Sequence, residues 1–120
     1  SSIEAIFAPQ TAPEGYADHI GTGLTLRRSA SRANAQQVHQ LRPHVVEMAA
    51  QYDRLTMPVE IIHGDADTIV PMHIHAEELI KDIPNGALTR LPGMGHMPHH
   101  ADPQAVVDTI DRAATRAGLR

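Results

Sequence analysis

Asp65, Asp67 and His96 are the residues of this chain whose types and spacing could carry out acid–base chemistry. Both aspartates follow the apolar stretch Val59-Glu60-Ile61-Ile62-His63, in Gly64-Asp65-Ala66-Asp67. His96 lies in Leu91-Pro92-Gly93-Met94-Gly95-His96-Met97-Pro98. A hydroxyl nucleophile at neutral pH needs a base within hydrogen-bond reach, and the base needs a carboxylate that orients it and stabilises the positive charge it gains. An Asp on one loop and His96 on a later one, 29 residues beyond Asp67, can supply those two parts. Flanked by Gly95 and just past a strand, His96 can be presented at a sheet edge without crowding from its neighbour. For the acid, residue types alone leave Asp65 and Asp67 both open.

Nine histidines raise a second chemistry, metal binding. On a helix, His73 and His75 would stand about 200° apart at 3.6 residues per turn, too far round to share an ion. His96, His99 and His100 with Asp102 form a denser cluster, and a site of imidazoles and carboxylates needs no cysteine. The simpler account is preferred. His99 and His100 border the His96 loop as partly exposed polar residues, His63 packs at the end of its strand, and no metal is assigned.

These loops need elements to hold them. Pro58 to His63 is short, β-branched and apolar, the pattern of a buried parallel strand, and Ala87 to Leu91 repeats it. Between them Pro71 suits the first turn of a helix running to about Asp82, with Ile74, Leu79, Ile80 and Ile83 apolar and Glu77, Glu78 and Lys81 polar. Strand, helix and strand in that order make the two strands parallel neighbours. In open α/β sheets chemistry gathers beyond the carboxyl ends of the strands, where both loops lie. Asp102 as N-cap before Pro103 opens a closing helix with Val106, Val107, Ile110, Ala113 and Ala114 on one face, stopped by Gly118. Upstream, Pro9, Pro13, Gly15, Gly21 and Gly23 predict short helices joined by turns. From Ser31, with Ser31 or Asn34 as N-cap, Val38, Leu41, Val45, Val46, Met48 and Ala49 recur at helical spacing, with Pro43 marking a kink or a new first turn.

Gly-x-x-Asp from Gly64 to Asp67, Pro71 after it, and Gly95-His96 at this spacing resemble the last two catalytic elements of the α/β-hydrolase family. The resemblance covers about residues 57 to 117 by motif and the earlier residues only by position and helical texture. It implies an α/β fold in which residues 1–56 are a helical cap or lid segment and residues 57–120 are the C-terminal part of the hydrolase core. The family places the acid three residues after the Gly, which selects Asp67, with His96 as general base. Val70 and the residues around Met94, Met97 and Pro98, beside these two loops, are expected either to line the substrate end of the crevice or to pack in the core, and Val70 and Met97 are taken as the substrate contacts. The implied activity is hydrolysis of a carboxylic ester or related acyl bond on a small apolar substrate, without a cofactor.

The family's nucleophile precedes the acid on a Gly-x-Ser-x-Gly elbow. Ser1, Ser2, Ser29 and Ser31 are the only serines, none lies between glycines, and there is no cysteine. The chain therefore reads as the C-terminal half of a hydrolase, inactive alone, and its expected partner is the N-terminal half on a missing or separate chain. Its start at Ser1-Ser2-Ile3 without Met fits an internal start or processing. Two parallel strands also need further strands to be covered on both faces. Epoxide hydrolases and haloalkane dehalogenases, which share the acid and the His but use an Asp nucleophile, stay open. So do a non-catalytic hydrolase-like binding module and a free-standing His-rich metal-binding domain.

Composition narrows the partners. Ten basic and fourteen acidic residues, scattered along the 120, leave a net charge of −4 and no basic footprint for nucleic acid. No apolar run approaches the ~20 residues of a membrane span, and no signal-peptide pattern is present. The absence of cysteine excludes disulfides and fits a cytoplasmic location. With only Phe7, Tyr16 and Tyr52 as aromatics, an aromatic-walled pocket would have to come mainly from elsewhere.

Overall fold

The computed structural model describes residues 2–25 and 27–119, so Ser1 lies outside the described residues. In chain order the elements are α1 (Ser2–Phe7), α2 (Tyr16–His19), α3 (Thr22–Thr25), α4 (Arg28–Ala49), β1 (Val59–Gly64), α5 (Ala76–Asp82), β2 (Gly86–Leu91), α6 (Pro98–Ala101) and α7 (Pro103–Arg116), with 3-10 turns at Tyr52–Arg54 and Met72–Ile74. The backbone divides into two compact units, one joining Ser1–Ala12 to Asp53–Arg120 and the other being Pro13–Tyr52. This division differs from the boundary expected between residues 56 and 57. The first residues belong with the strands because Phe7 is buried there, only 2% exposed, with its ring 5.4 Å from that of His100. Burying one such side chain contributes roughly 1.5–3 kcal/mol.

In the strand-bearing unit, β1 and β2 pair in parallel from Val59 opposite Gly86 to Gly64 opposite Leu91. The chain crosses between them through α5, as parallel pairing demands. Side chains alternate across a sheet, and the two helices use that alternation. Arg112 and Arg116 of α7 reach Glu60 on one face, at 3.4 and 2.7 Å, while Glu77 of α5 takes Arg90 on the other at 2.6 Å. The result is a mixed α/β arrangement with helices on both faces of a two-stranded sheet. Arg116 also donates to the Asn85 carbonyl and side chain, at 2.9 and 2.7 Å, tying the end of α7 to the turn before β2. Asp102 caps α7 as its position predicts, accepting the Ala105 N–H at 3.0 Å, with Pro103 at the first helical position. The helix stops where Gly118 takes a φ of 71°.

Two helices depart from their expected forms. The stretch after Pro71 is a 3-10 turn and then α5, broken at His75, whose φ of −121° and ψ of −84° are not helical. In the second unit, α4 starts at Arg28, ahead of the Ser31 and Asn34 caps, and Ser31 already donates its N–H to the Arg27 carbonyl. The helix-favouring alanines at 30, 33 and 35 extend it backwards past the capping signal. It also runs through Pro43 as one element of 22 residues. Among the described residues no helix is long and apolar enough to cross a membrane.

Candidate active site

The loops after β1 and β2 are laced to each other by their backbones. Asp65 N–H donates to the Leu91 carbonyl at 3.1 Å and Ala66 N–H to the Met94 carbonyl at 2.9 Å. The Asp65 carboxylate accepts the Gly93 N–H at 2.6 Å. Asp65 thus accepts a backbone N–H as a turn-former does, and the N–H comes from the other loop. Gly93 can make this turn because its φ of 67° suits a residue without a Cβ. Gly64 is required for a different reason: a Cβ there would collide with the Met94 carbonyl. The close approach of the two loops is therefore written into small residues at their bases.

Asp67 and His96 meet at this junction. His96 Nδ1 lies 2.8 Å from Asp67 Oδ2, and Oδ1 of the same carboxylate accepts the N–H groups of Ile69 and Val70, each at 2.8 Å. Asp67 is buried, with its side chain 4% exposed, while the His96 side chain is 32% exposed. Burial by itself pushes the Asp67 carboxyl up. The hydrogen bonds from Val70, His96 and Ile69, with the field of His96, outweigh it and hold the group below the ordinary carboxylate value. Because an ionised carboxylate only accepts, His96 Nδ1 must be the donor. In the neutral imidazole Nε2 is then left as an acceptor on the far side of the ring.

A third side chain joins them. His63 Nε2 donates to the Val70 carbonyl at 2.8 Å and lies 3.3 Å from Asp67 Oδ2. Sequence reasoning places His63 at the strand end as packing. Its position four residues before Asp67 was the available signal that it could reach the carboxylate.

A shallow cleft of about 190 Å³ opens beside this group, walled by Ile62, Val70 and Pro98 around His63, Asp67 and His96. Val70 lines this cleft. Met97 does not line this cleft; it caps the short α6, accepting N–H groups from His100 and Ala101. His99 and His100 are exposed, their rings tilted at 45° to each other with centroids 4.5 Å apart, and neither lines the cleft. Among the described residues no group of three or more His, Asp or Glu side chains could hold a metal ion.

Geometrically, the site can orient an imidazole, stabilise its protonated form and offer Nε2 to a proton donor arriving from the cleft. No protein-family model matches the chain. It is 31% identical over 97 residues, 80% of its length, to a stretch of the polyketide synthase ThaQ of Burkholderia thailandensis that makes up 5% of that protein. Over 70 residues, 55% of its length, it is 33% identical to uncharacterized proteins of Mycobacterium bovis and Mycobacterium tuberculosis, and that stretch makes up 20% of each of them. The chain thus spans a small fraction of the curated relatives it matches.

Proposed function

We propose that this chain is part of an α/β-hydrolase and supplies the acid and the base of a Ser-His-Asp triad that hydrolyses a carboxylic ester or related acyl bond. The nucleophile in this reading is a serine carried on polypeptide outside these 120 residues, so the chain alone is inactive. The observation that carries the reading is the 2.8 Å hydrogen bond from His96 Nδ1 to a buried Asp67 carboxylate held ionised, which leaves Nε2 available. His96 would take the serine proton at Nε2 as the hydroxyl attacks the acyl carbon. Asp67 would stabilise the resulting imidazolium without itself being protonated. The same proton would pass to the departing alcohol, and a water activated by His96 would release the acid. Ile62, Val70 and Pro98 offer apolar contact, which suits a small apolar acyl or alcohol group.

The test is hydrolysis of p-nitrophenyl esters by the complete polypeptide that carries this chain, beside its H96A variant and the 120-residue chain alone. Activity in the complete protein, with loss in the other two, supports the reading. Activity that survives H96A, or that the chain shows by itself, overturns it.

A further inference from the structure

Every backbone hydrogen-bonding group from Gly93 to the N–H of Gly95 is held by a named partner, and one of those partners belongs to neither loop. From the Asp67 side, Asp65 takes the Gly93 N–H and Ala66 gives its N–H to the Met94 carbonyl, while Met94 N–H returns to Leu91 at 3.3 Å. Two groups remain, the Gly93 carbonyl and the Gly95 N–H. The Gln10 side chain takes both. Its Nε2 donates to Gly93 O at 2.8 Å and its Oε1 accepts from Gly95 N–H at 2.9 Å, across 83 and 85 residues of sequence.

We propose that Gln10 is a positioning residue for His96, a carboxamide clamp that fixes the loop at the Gly93 carbonyl and the Gly95 N–H. This rests on the reading of His96 as the base. A carboxamide presents a donor and an acceptor together, as a peptide group does, whereas a carboxylate offers only acceptors. The fit therefore selects Gln over Glu. A second contact seats the same segment: a Cβ on Gly95 would collide with the Ala8 carbonyl, so the backbone two residues before Gln10 lies against the residue immediately before His96. The Gly95–His96 peptide sets where the imidazole ring leaves the backbone. Loosening it moves the ring relative to Asp67, and misplacement by about 1 Å at a reacting group can cost about a hundredfold in rate. Asp67 is unaffected by Gln10, because its own position is set by the Ile69 and Val70 N–H groups within its loop.

The experiment is NMR on the isotope-labelled complete polypeptide that carries this chain and on its Q10A and Q10E variants, with two readouts. One is hydrogen exchange at the Gly95 amide, and the other is the low-field Nδ1–H resonance of His96. In Q10A the Gly95 amide should exchange about tenfold faster and the His96 resonance should broaden or vanish, while the Ile69 and Val70 amides keep their protection. Q10E retains an acceptor for Gly95 but not the donor to Gly93, so it should keep most of the Gly95 protection and still broaden the His96 resonance. Unchanged Gly95 exchange in Q10A overturns the clamp. An unchanged His96 resonance, or protection lost alike at Ile69 and Val70, makes Gln10 a general structural contact and overturns the positioning role. A resonance already missing in the unaltered chain sinks the acid–base reading instead, and Gly95 exchange still decides whether the clamp exists.

Discussion

Replacing Asp67 with Asn separates charge and acceptor geometry from shape. The two bonds from Ile69 and Val70, each 2.8 Å, can persist on the amide oxygen, though at neutral rather than charge-assisted strength. The amide nitrogen then occupies the Oδ2 position, facing two donors, His96 Nδ1–H at 2.8 Å and His63 Nε2–H at 3.3 Å. Donor meets donor, so His96 regains a partner only by shifting its proton to Nε2, the atom that must be free to accept one. Hydrogen bonds to a charged group contribute about 1.5–3 kcal/mol each, and with one lost and two weakened the expected loss of stability near neutral pH is about 2–3 kcal/mol. On the proposed reading, D67N in the complete protein should also lower turnover, by about the 10⁴-fold that the Asp-to-Asn change costs in a serine protease triad. The Asp67 carboxyl is held below its ordinary value by the Val70, His96 and Ile69 hydrogen bonds, against burial. Stability from a depressed carboxylate pKa is fully present above the unfolded value, about 3.9, and is lost as pH falls through the lower folded value. The gap between parent and D67N should therefore be full near pH 6 and shrink on acidification below about pH 4. Urea unfolding followed by far-UV circular dichroism at a series of pH values measures it. Equal stability at pH 6, or a gap that widens in acid, refutes the argument.

Further outcomes follow from the same contacts. H96Q should let the Asp67 carboxyl titrate at higher pH, because His96 supplies part of what holds it down; carboxyl-carbon NMR of the two chains checks this. H63F removes the donor to the Val70 carbonyl and should cost about 1–2 kcal/mol in urea unfolding, while the His96 Nδ1–H resonance remains. G95A drives a methyl group into the Ala8 carbonyl and should destabilise by about 1–3 kcal/mol, with faster exchange at the amides of residues 93 to 95. Among the described residues, R116A leaves Glu60, whose side chain is 4% exposed, with Arg112 at 3.4 Å as its remaining ion-pair partner. Its expected cost is about 2–3 kcal/mol, below that of a fully buried pair because Arg116 is itself 31% exposed.

What was legible in the sequence was what local pattern encodes. β1 and β2 are short apolar runs ended by turns, Asp102-Pro103 is a cap with Pro at the first helical position, and the Asp67 and His96 loops follow strands that the crossover makes parallel. Contacts between distant segments left no such mark. Gln10 reads as one polar residue between prolines, and its two bonds lie more than eighty residues away. The burial of Phe7, which draws the first residues into the strand-bearing unit, has the same character. For α4, the capping signal at Ser31 was real chemistry that lost to the helical preference of the alanine-rich residues around it. Met97 shows the limit of adjacency: one residue beyond His96 it turns to cap α6, while Pro98, expected beside the same crevice, does stand in the cleft wall.

The central claim is that Asp67 and His96 serve a serine lying outside these 120 residues. A fluorophosphonate probe tests it most directly, since it phosphonylates a serine only where a base activates the hydroxyl. Treating the complete polypeptide that carries this chain, and its H96A variant, then mapping the adduct by mass spectrometry, should give one labelled serine outside the chain in the first and none in the second. Labelling that persists in H96A, or no labelled serine in the unaltered protein, contradicts the account.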